Sequence, residues 1–351
     1  MAMAQDYRIG LVIPLRGPGG IYGPSCEAVA KLAAATLNAN GGIAAREVGI
    51  EVIDAGLPAA ELHDEVNRLI TANRIHAVTG WHISTVREHL APVVANRIPY
   101  VYTSLYEGGE SRPGIICSGE TPELQIGPAL RWLRENTGVR RWAVVGANYV
   151  WPRRTVPAIR AYCHEFGLTL ADEIYVDYGT TDYSRVLPRL ERSGAQGIIM
   201  LLVGRDAVAF NRAFSARGLH EQILRFSPLM EENMLLASGA HATANLYVAA
   251  SYFQNLVTAS AQDFMSDYVH RYGPKAPPLN NAAESCYEGV MTLGALTAAA
   301  DSTDLDDVVR HCGDVSYEGP RGSVHASEGL MHQDVHIAMA DCYEFDVVAT
   351  L

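Results

Sequence analysis

Five strand-like runs of this chain end in residues of one kind. Thr79-Gly80-Trp81-His82-Ile83-Ser84 follows Val78, Tyr102-Thr103-Ser104-Leu105-Tyr106 follows Val101, and Gly146-Ala147-Asn148-Tyr149-Val150-Trp151 follows Val145. Val203-Gly204-Arg205-Asp206 follows Leu202, and Ser251-Tyr252-Phe253 follows Ala250. Tyr and Trp give a wide apolar wall with one hydrogen-bonding handle. The hydroxyls of Ser84 and Ser104 both donate and accept. Ser84 also opens a helical pattern, whose first free amides can hold a carbonyl oxygen or an anion. This is the chemistry of recognition. The candidate ligand-binding residues are Ser84, Tyr102, Ser104, Tyr149 and Trp151, with His82, Thr103, Arg205 and Tyr252 beside them. Each also has a structural role open to it. Ser84 suits an N-cap, Tyr102 and Tyr149 suit core or rim, and His82 suits a hydrogen-bonded interior. Trp151 before Pro152 suits a rigid extended turn, and Arg205 an ion pair at the surface.

Residues able to do covalent or redox chemistry do not assemble into a motif. Arg16–Pro24 follows a strand and opens a helix as a phosphate loop would, but Tyr22 stands where a dinucleotide fingerprint needs glycine. No Gly-Lys-Ser/Thr follows, so the stretch reads as a tight strand-to-helix turn. The twelve His and six Cys show no H-E-x-x-H and no C-x-x-C. There is no G-x-S-x-G elbow and no Ser-x-x-Lys. The expectation is a non-enzyme without metal or cofactor.

The elements that must position these residues alternate regularly. Strand-like runs at Tyr7–Leu15, Val48–Ile53, His76–Gly80, Pro99–Thr103 and Ile115–Ser118 are separated by helical patterns, the first near Ser25–Asn38 with Ser25 as its N-cap. The rhythm restarts with strands at Trp142–Gly146, Thr169–Tyr175, Gly197–Val203, Ile223–Phe226 and Leu246–Ala250, with a helix at Arg154–Phe166 after the first of them. Helical patterns near Ala259–Tyr272 and Ala282–Ala299 follow. Strands around Val324, His336–Asp341 and Tyr343–Val348 close the chain. Strands alternating with helices of this length imply parallel βαβ units. The predicted fold is α/β, with two doubly wound parallel-sheet lobes joined by a multi-crossing hinge. Lobe 1 spans 6–121 plus about 252–325, and lobe 2 spans 122–251 plus about 326–351. In open α/β sheets ligands bind beyond the carboxyl ends of the strands, where the aromatic and hydroxyl residues gather.

Bulk composition agrees with a large globular core: 351 residues are 48% hydrophobic and 19% charged. A net charge of −12 argues against a nucleic-acid surface. No apolar run is long enough to span a bilayer, and the start MAMAQDYRIG lacks the basic and apolar regions of a signal peptide. The scattered cysteines read as reduced, buried thiols. The expected location is therefore cytoplasmic, or extracytoplasmic if a leader has been removed.

Several segments resemble the amide and urea branch of the type I periplasmic-binding-protein fold. Tyr102–Gly108 with Ser111-x-Pro113 and Gly119-Glu120-Thr121-Pro122 is the most specific of them. Asn38–Ile43 is similar to the family's Asn-Gly-Gly turn. Gly80–Ser84 and Gly146–Arg153 are similar to its two pocket loops, and the resemblance covers nearly the whole chain. It is strongest to the cytoplasmic amide sensors that regulate amidase operons. It implies a small neutral amide-like ligand held by Ser84, Tyr102, Ser104 and Tyr149, and lobes that close over it. The implied partner is an RNA-binding antiterminator or another regulator. The alternative is an ABC permease, with the protein delivering amides, urea or amino acids, and a homodimer stays open. His82 and Trp151 replace family tyrosines and Ser104 a threonine, which alters pocket size and donor pattern. An ammonium ligand would need a carboxylate. Glu107, Glu110 and Asp206 are the candidates, although each reads more readily as solvated surface.

Overall fold

The computed structural model describes residues 6–327 and 330–351. The first sheet contains β1 (Tyr7–Ile13), β2 (Val48–Asp54), β3 (Ala77–Gly80), β4 (Tyr100–Tyr102) and β5 (Ile115–Cys117), all parallel in the order β2-β1-β3-β4-β5. The second contains β6 (Arg141–Ala147), β7 (Thr169–Val176), β8 (Gly197–Leu201), β9 (Leu224–Ser227) and β10 (Leu246–Ala250), parallel in the order β10-β9-β8-β6-β7. A small antiparallel meander follows: β11 (Ser316–Gly319), β12 (Gly322–Ser327) and β13 (Leu330–His332). The hairpin β14 (His336–Asp341) and β15 (Glu344–Thr350) then extends the second sheet antiparallel to β10. Each sheet defines a lobe.

Sequence pattern explains these placements. β8, Gly-Ile-Ile-Met-Leu, is buried at every position, as a central parallel strand covered on both faces must be. β15 sits at an edge and keeps only Phe345 buried. The helices are, in chain order, α1 (Gly23–Ala39), α2 (Ala59–Thr71), α3 (Ser84–Val94), α4 (Ile126–Thr137), α5 (Val150–Glu165), α6 (Val186–Ser193), α7 (Arg205–Ala216), α8 (Glu232–Ser238), α9 (Ala259–Tyr272), α10 (Asn281–Ala300) and α11 (Leu305–Arg310). α1 and α10 are rich in Ala and pack closely on each other. α10 also lies on β3 and β4, which brings the chain back to the first sheet.

Strand order reverses between β1 and β3 in the first sheet and between β6 and β8 in the second. Loops leaving adjacent strands there run to opposite faces and open a crevice.

Three segments cross between the sheets, and one polar network clasps them. Glu120 Oε1 accepts from the Ser251 amide (2.9 Å) and from Asn281 Nδ2 (3.1 Å). The Tyr252 amide donates to Asn281 Oδ1 (3.0 Å). Arg321 pairs with Glu284 and donates to Gln333 Oε1 (2.9 Å), and Gln333 Nε2 donates to the Ser118 carbonyl (3.1 Å).

Some expectations shift. α1 starts at Gly23, and Ser25 is not its cap: its hydroxyl turns back to the Tyr22 carbonyl (3.0 Å). α5 starts at Val150, so Trp151-Pro152 forms a first helical turn instead of an extended one. Proline is accommodated there because the first-turn amides have no intrahelical acceptor. β11 and β13 carry weak strand patterns and were not anticipated. All six cysteines are free; four are buried, but Cys312 is half-buried and Cys342 exposed. Among the described residues no helix is long and apolar enough to cross a membrane.

Candidate functional site

The switch-point loops of the two sheets meet face to face. Gly80 ends β3 with φ of 132°, and a β-carbon there would lie 2.3 Å from the Val12 carbonyl oxygen. Only glycine lets the next segment, Trp81–Ser84, leave directly over β1. That segment, with Ser104 and Leu105, forms one wall of a cavity of about 10 Å³. Tyr149, Trp151, Val203 and Leu229 form the other wall. A space of this size holds about one water, so the lobes are closed upon it.

Direct contacts between the lobes hold the closure. The Gly204 amide donates to the Tyr22 hydroxyl (3.0 Å), and that hydroxyl donates to Met234 Sδ (3.0 Å). Asn233 Nδ2 donates to the Ile21 carbonyl (2.9 Å), and Arg154 pairs with Glu88 (2.8 Å). Gly204 has φ of 51°, and a β-carbon there would sit 2.1 Å from the Pro18 carbonyl oxygen of the opposite lobe.

Hydrogen-bond polarity within the cleft follows from what lies behind it. The Ser84 hydroxyl donates to Glu107 Oε2 (2.7 Å). A carboxylate only accepts, so the serine proton points away from the cleft and Oγ presents lone pairs. Ser104 Oγ accepts from the His82 amide (2.9 Å) and donates to the His82 carbonyl (2.7 Å). α3 begins at Ser84 after Ile83, whose side chain cannot cap; the Val86 amide donates to the Ile83 carbonyl (2.9 Å), which leaves the amides of Ser84 and Thr85 for other partners.

Glu107 belongs to a buried ion cluster. Arg87 Nη2 lies 2.7 Å from Glu107 Oε1, and Arg87 Nε lies 3.2 Å from Glu110 Oε2. The Arg87 guanidinium sits over the Tyr102 and Tyr106 rings, 5.0 and 5.2 Å from their centroids. Arg112 also holds Glu110, and Arg154 reaches Glu107 at 3.7 Å from the other lobe. Burial works against the Glu110 carboxylate, but hydrogen bonds from Arg112 outweigh it and keep its pKa below the usual range. The expectation of solvated surface for Glu107 and Glu110 is therefore corrected. Both pair with Arg87, which is 2% exposed and would otherwise be buried without a counter-ion. Asp206 is buried too, and its Oδ2 accepts from the Gly179 amide (2.8 Å).

The structure brings His82, Ser84, Ser104, Tyr149 and Trp151 together and places the other candidates elsewhere. His82 lines the cavity with its ring fully engaged. Nδ1–H donates to the Val12 carbonyl (2.9 Å), and the Tyr100 hydroxyl donates to Nε2 (2.6 Å). Burial pushes its pKa down to about 4, so the ring is neutral. Tyr102 lies behind the wall, its hydroxyl donating to the His82 carbonyl (2.8 Å). Thr103 Oγ1 meets Ser285 Oγ on α10 (3.1 Å). Arg205 opens α7 and reaches the Gly17 carbonyl (3.2 Å). Tyr252 is buried in a hinge crossing, packed edge-on against Phe264. Trp81, Ile83, Leu105, Val203 and Leu229 are walls that the sequence reading left out of the site. Leu229 follows the end of β9, and that strand end carries the same positional signal as the others.

The comparisons with known proteins accord with this arrangement. A family model described as periplasmic binding protein matches residues 6–343. The Leu/Ile/Val-binding protein homolog 3 of Brucella melitensis is 21% identical over 310 residues, covering 86% of this chain and 82% of that protein. A solute-binding protein of an ABC transporter from Rhodopseudomonas palustris, solved with 3,4-dihydroxybenzoic acid, superposes with a TM-score of 0.87 at 18% identity, over 99% of this chain and 97% of that one. A branched-chain amino acid transporter substrate-binding protein of Streptococcus pneumoniae, solved with isoleucine, gives a TM-score of 0.83 at 16% identity over 99% of each chain. With two parallel-sheet lobes, three crossings and an inter-lobe cleft at the switch points, the chain belongs to the periplasmic binding protein family.

Proposed function

We propose that this protein is the solute-binding component of an ABC-type transporter, and that its ligand has a small neutral head with both hydrogen-bond donors and acceptors, such as an amide or urea group. The observation that carries the head chemistry is the Ser84–Glu107 hydrogen bond of 2.7 Å. It turns Ser84 Oγ into an acceptor facing the cleft, beside the amide donors that open α3. A primary amide satisfies both at once, N–H to Ser84 Oγ and C=O to the helix amides. A carboxylate offers acceptors only and leaves Ser84 Oγ unmatched, at the cost of an unmade buried hydrogen bond. The Tyr149 and Trp151 rings of the opposite lobe cover the head on closure.

The transporter assignment is supported by the relatives, which are named as binding proteins or ABC transporter components. None of those names supports the regulator reading, with its antiterminator partner and cytoplasmic setting. A permease partner and a periplasmic setting go with the transporter assignment. The lobe boundaries at 6–121 with 252–325 and at 122–251 with 326–351 are part of this reading, supported by the return of β14 and β15 to the second sheet.

The test is calorimetric titration with acetamide, urea, isoleucine and benzoate, repeated on Ser84→Ala and Tyr149→Ala. Amide or urea binding that both variants abolish, in folded proteins, is the expected result. Binding of isoleucine or benzoate alone would overturn the head chemistry.

A further inference from the structure

Residues 229–234 of the second lobe touch the first lobe repeatedly. Leu229 lines the cleft, Asn233 Nδ2 donates to the Ile21 carbonyl (2.9 Å), and Met234 Sδ accepts from the Tyr22 hydroxyl (3.0 Å). Between them Glu231, 2% exposed, extends to the start of α10 on the first lobe. There its Oε2 accepts from the Ala282 amide (3.3 Å). Closing the lobes therefore carries a carboxyl group out of water and into their interface.

The surroundings of that carboxyl do not offset a negative charge. The titratable groups facing it are Glu232 beside it, Glu120 on the first crossing, and Tyr22 and Cys26 from the start of α1. None of them is a cation. Arg321, the cation buried in the hinge, is taken by Glu284. Glu107 and Glu110 show the contrast, since both are buried against Arg87. The Ala282 amide favours the charged form of Glu231, but one long hydrogen bond does not repay the desolvation of a carboxylate. The group is held as the neutral acid.

We propose that closure of the cleft takes up a proton at Glu231, so that the closed state weakens as pH rises. This regulates the site described above. It rests on the movement of the two lobes and not on the amide head, so its test uses no ligand.

The size of the effect follows from the two environments. In the closed protein burial, then Glu232, pushes the pKa of Glu231 up to about 8, and hydration on opening returns it toward 4.5. The stabilisation of the closed state is complete below 4.5 and is lost as pH rises through 8. Between those values the open-to-closed ratio rises by up to about 10-fold per pH unit, or about 1000-fold from pH 5 to pH 8.

Hydrogen exchange of the ligand-free protein from pH 5 to pH 8 reads this ratio. The Gly204 amide donates across the lobes to the Tyr22 hydroxyl (3.0 Å), so its protection reports opening. The Ile199 amide, inside the fully buried β8, reports global unfolding. With intrinsic exchange rates divided out, Gly204 protection in the wild type should fall by up to about 10-fold per pH unit and exceed the fall at Ile199. In Glu231→Gln, which matches the shape of the protonated acid, most of that fall should vanish. Flat Gly204 protection in the wild type overturns the proposal, as does a fall that Glu231→Gln retains. A fall equal to that at Ile199 reads as global unfolding and overturns it too. Glu232 also titrates in this window, because burial pushes its pKa up to about 7. A fall abolished by Glu232→Gln but kept by Glu231→Gln assigns the proton to that neighbour and overturns the role of Glu231.

Discussion

Replacing Glu231 with glutamine should make stability less sensitive to pH, by an amount the structure sets. Glu231 precedes α8 in the second lobe and is 2% exposed. Its Oε2 accepts from the Ala282 amide (3.3 Å) in the first turn of α10, on the first lobe. Burial, then the neighbouring Glu232, raises its pKa from 4.5 to about 8. Between those values the unfolded chain has lost the proton and the folded protein keeps it. Folding therefore takes up a proton, and stability falls as pH rises, by about 1.4 kcal/mol per unit from this group. At pH 7 the loss relative to pH 4.5 is about 3 kcal/mol. Glutamine matches the shape of the protonated acid and cannot ionise. Glu231→Gln should thus gain on the wild type by about 3 kcal/mol between pH 4.5 and 7, whatever constant cost its amide adds. Burial lowers His82 and so weakens the protein below pH 6.5, but that term is common to both proteins and cancels. Urea denaturation across pH 4.5–8 measures the difference directly. A difference curve flat over that window refutes the reasoning.

Three further outcomes follow from the geometry. Gly204→Ala forces a β-carbon against the Pro18 carbonyl of the other lobe. It should weaken ligand binding at least 10-fold and leave a larger radius of gyration by small-angle scattering at saturating ligand; an unchanged radius and affinity would count against closure through this contact. Arg321→Met strands Glu284 at 0% side-chain exposure and should cost about 3–5 kcal/mol in denaturant titration, with much of it recovered in Arg321→Met/Glu284→Leu. Tyr102→Phe removes a hydroxyl bonded to the His82 main chain. About 1 kcal/mol of stability should go with it while affinity changes only a few-fold, and a complete loss of binding would place Tyr102 in the cleft itself.

The two-lobed architecture was legible because buried parallel strands leave continuous apolar runs such as Gly197–Val203, and the helices between them keep amphipathic faces. The location of the candidate cleft was legible for a topological reason. Ser84, Tyr149 and Trp151 follow β3 and β6, which flank the switch points, and Ser104 follows the neighbouring β4, so their loops leave the same strand ends and meet. Which way each side chain points was not legible. Tyr102 and Ser104 are two residues apart, and both hydroxyls bond the His82 carbonyl, yet only Ser104 lines the cavity. Nor could charge at Glu107 and Glu110 reveal burial. Their partner Arg87 lies 20 residues or more away in sequence, on a helix whose exposed and buried faces both carry polar residues. The hinge clasp was hidden similarly, since Glu120, Asn281, Arg321 and Gln333 are adjacent only once three crossings have formed.

The ion cluster beside the cleft, buried at Arg87, Glu107 and Glu110 and exposed at Arg112 and Arg154, bears on specificity more than on stability. Arg87, Arg112 and Arg154 face Glu88, Glu107 and Glu110, three cations against three anions. Such a cluster gains little over apolar packing of the same volume, because desolvation consumes most of the Coulomb attraction. It does fix a direction that apolar packing cannot. With Arg87 on one carboxylate oxygen and Ser84 on the other, Glu107 has one orientation, and the Ser84 proton has one acceptor. The cluster adds no net charge behind the cleft, so a neutral head meets no long-range penalty. Under the proposed head chemistry, the residues that sort donors from acceptors at Ser84 are thus Glu107 and Arg87, which lie behind the wall and outside the cavity lining.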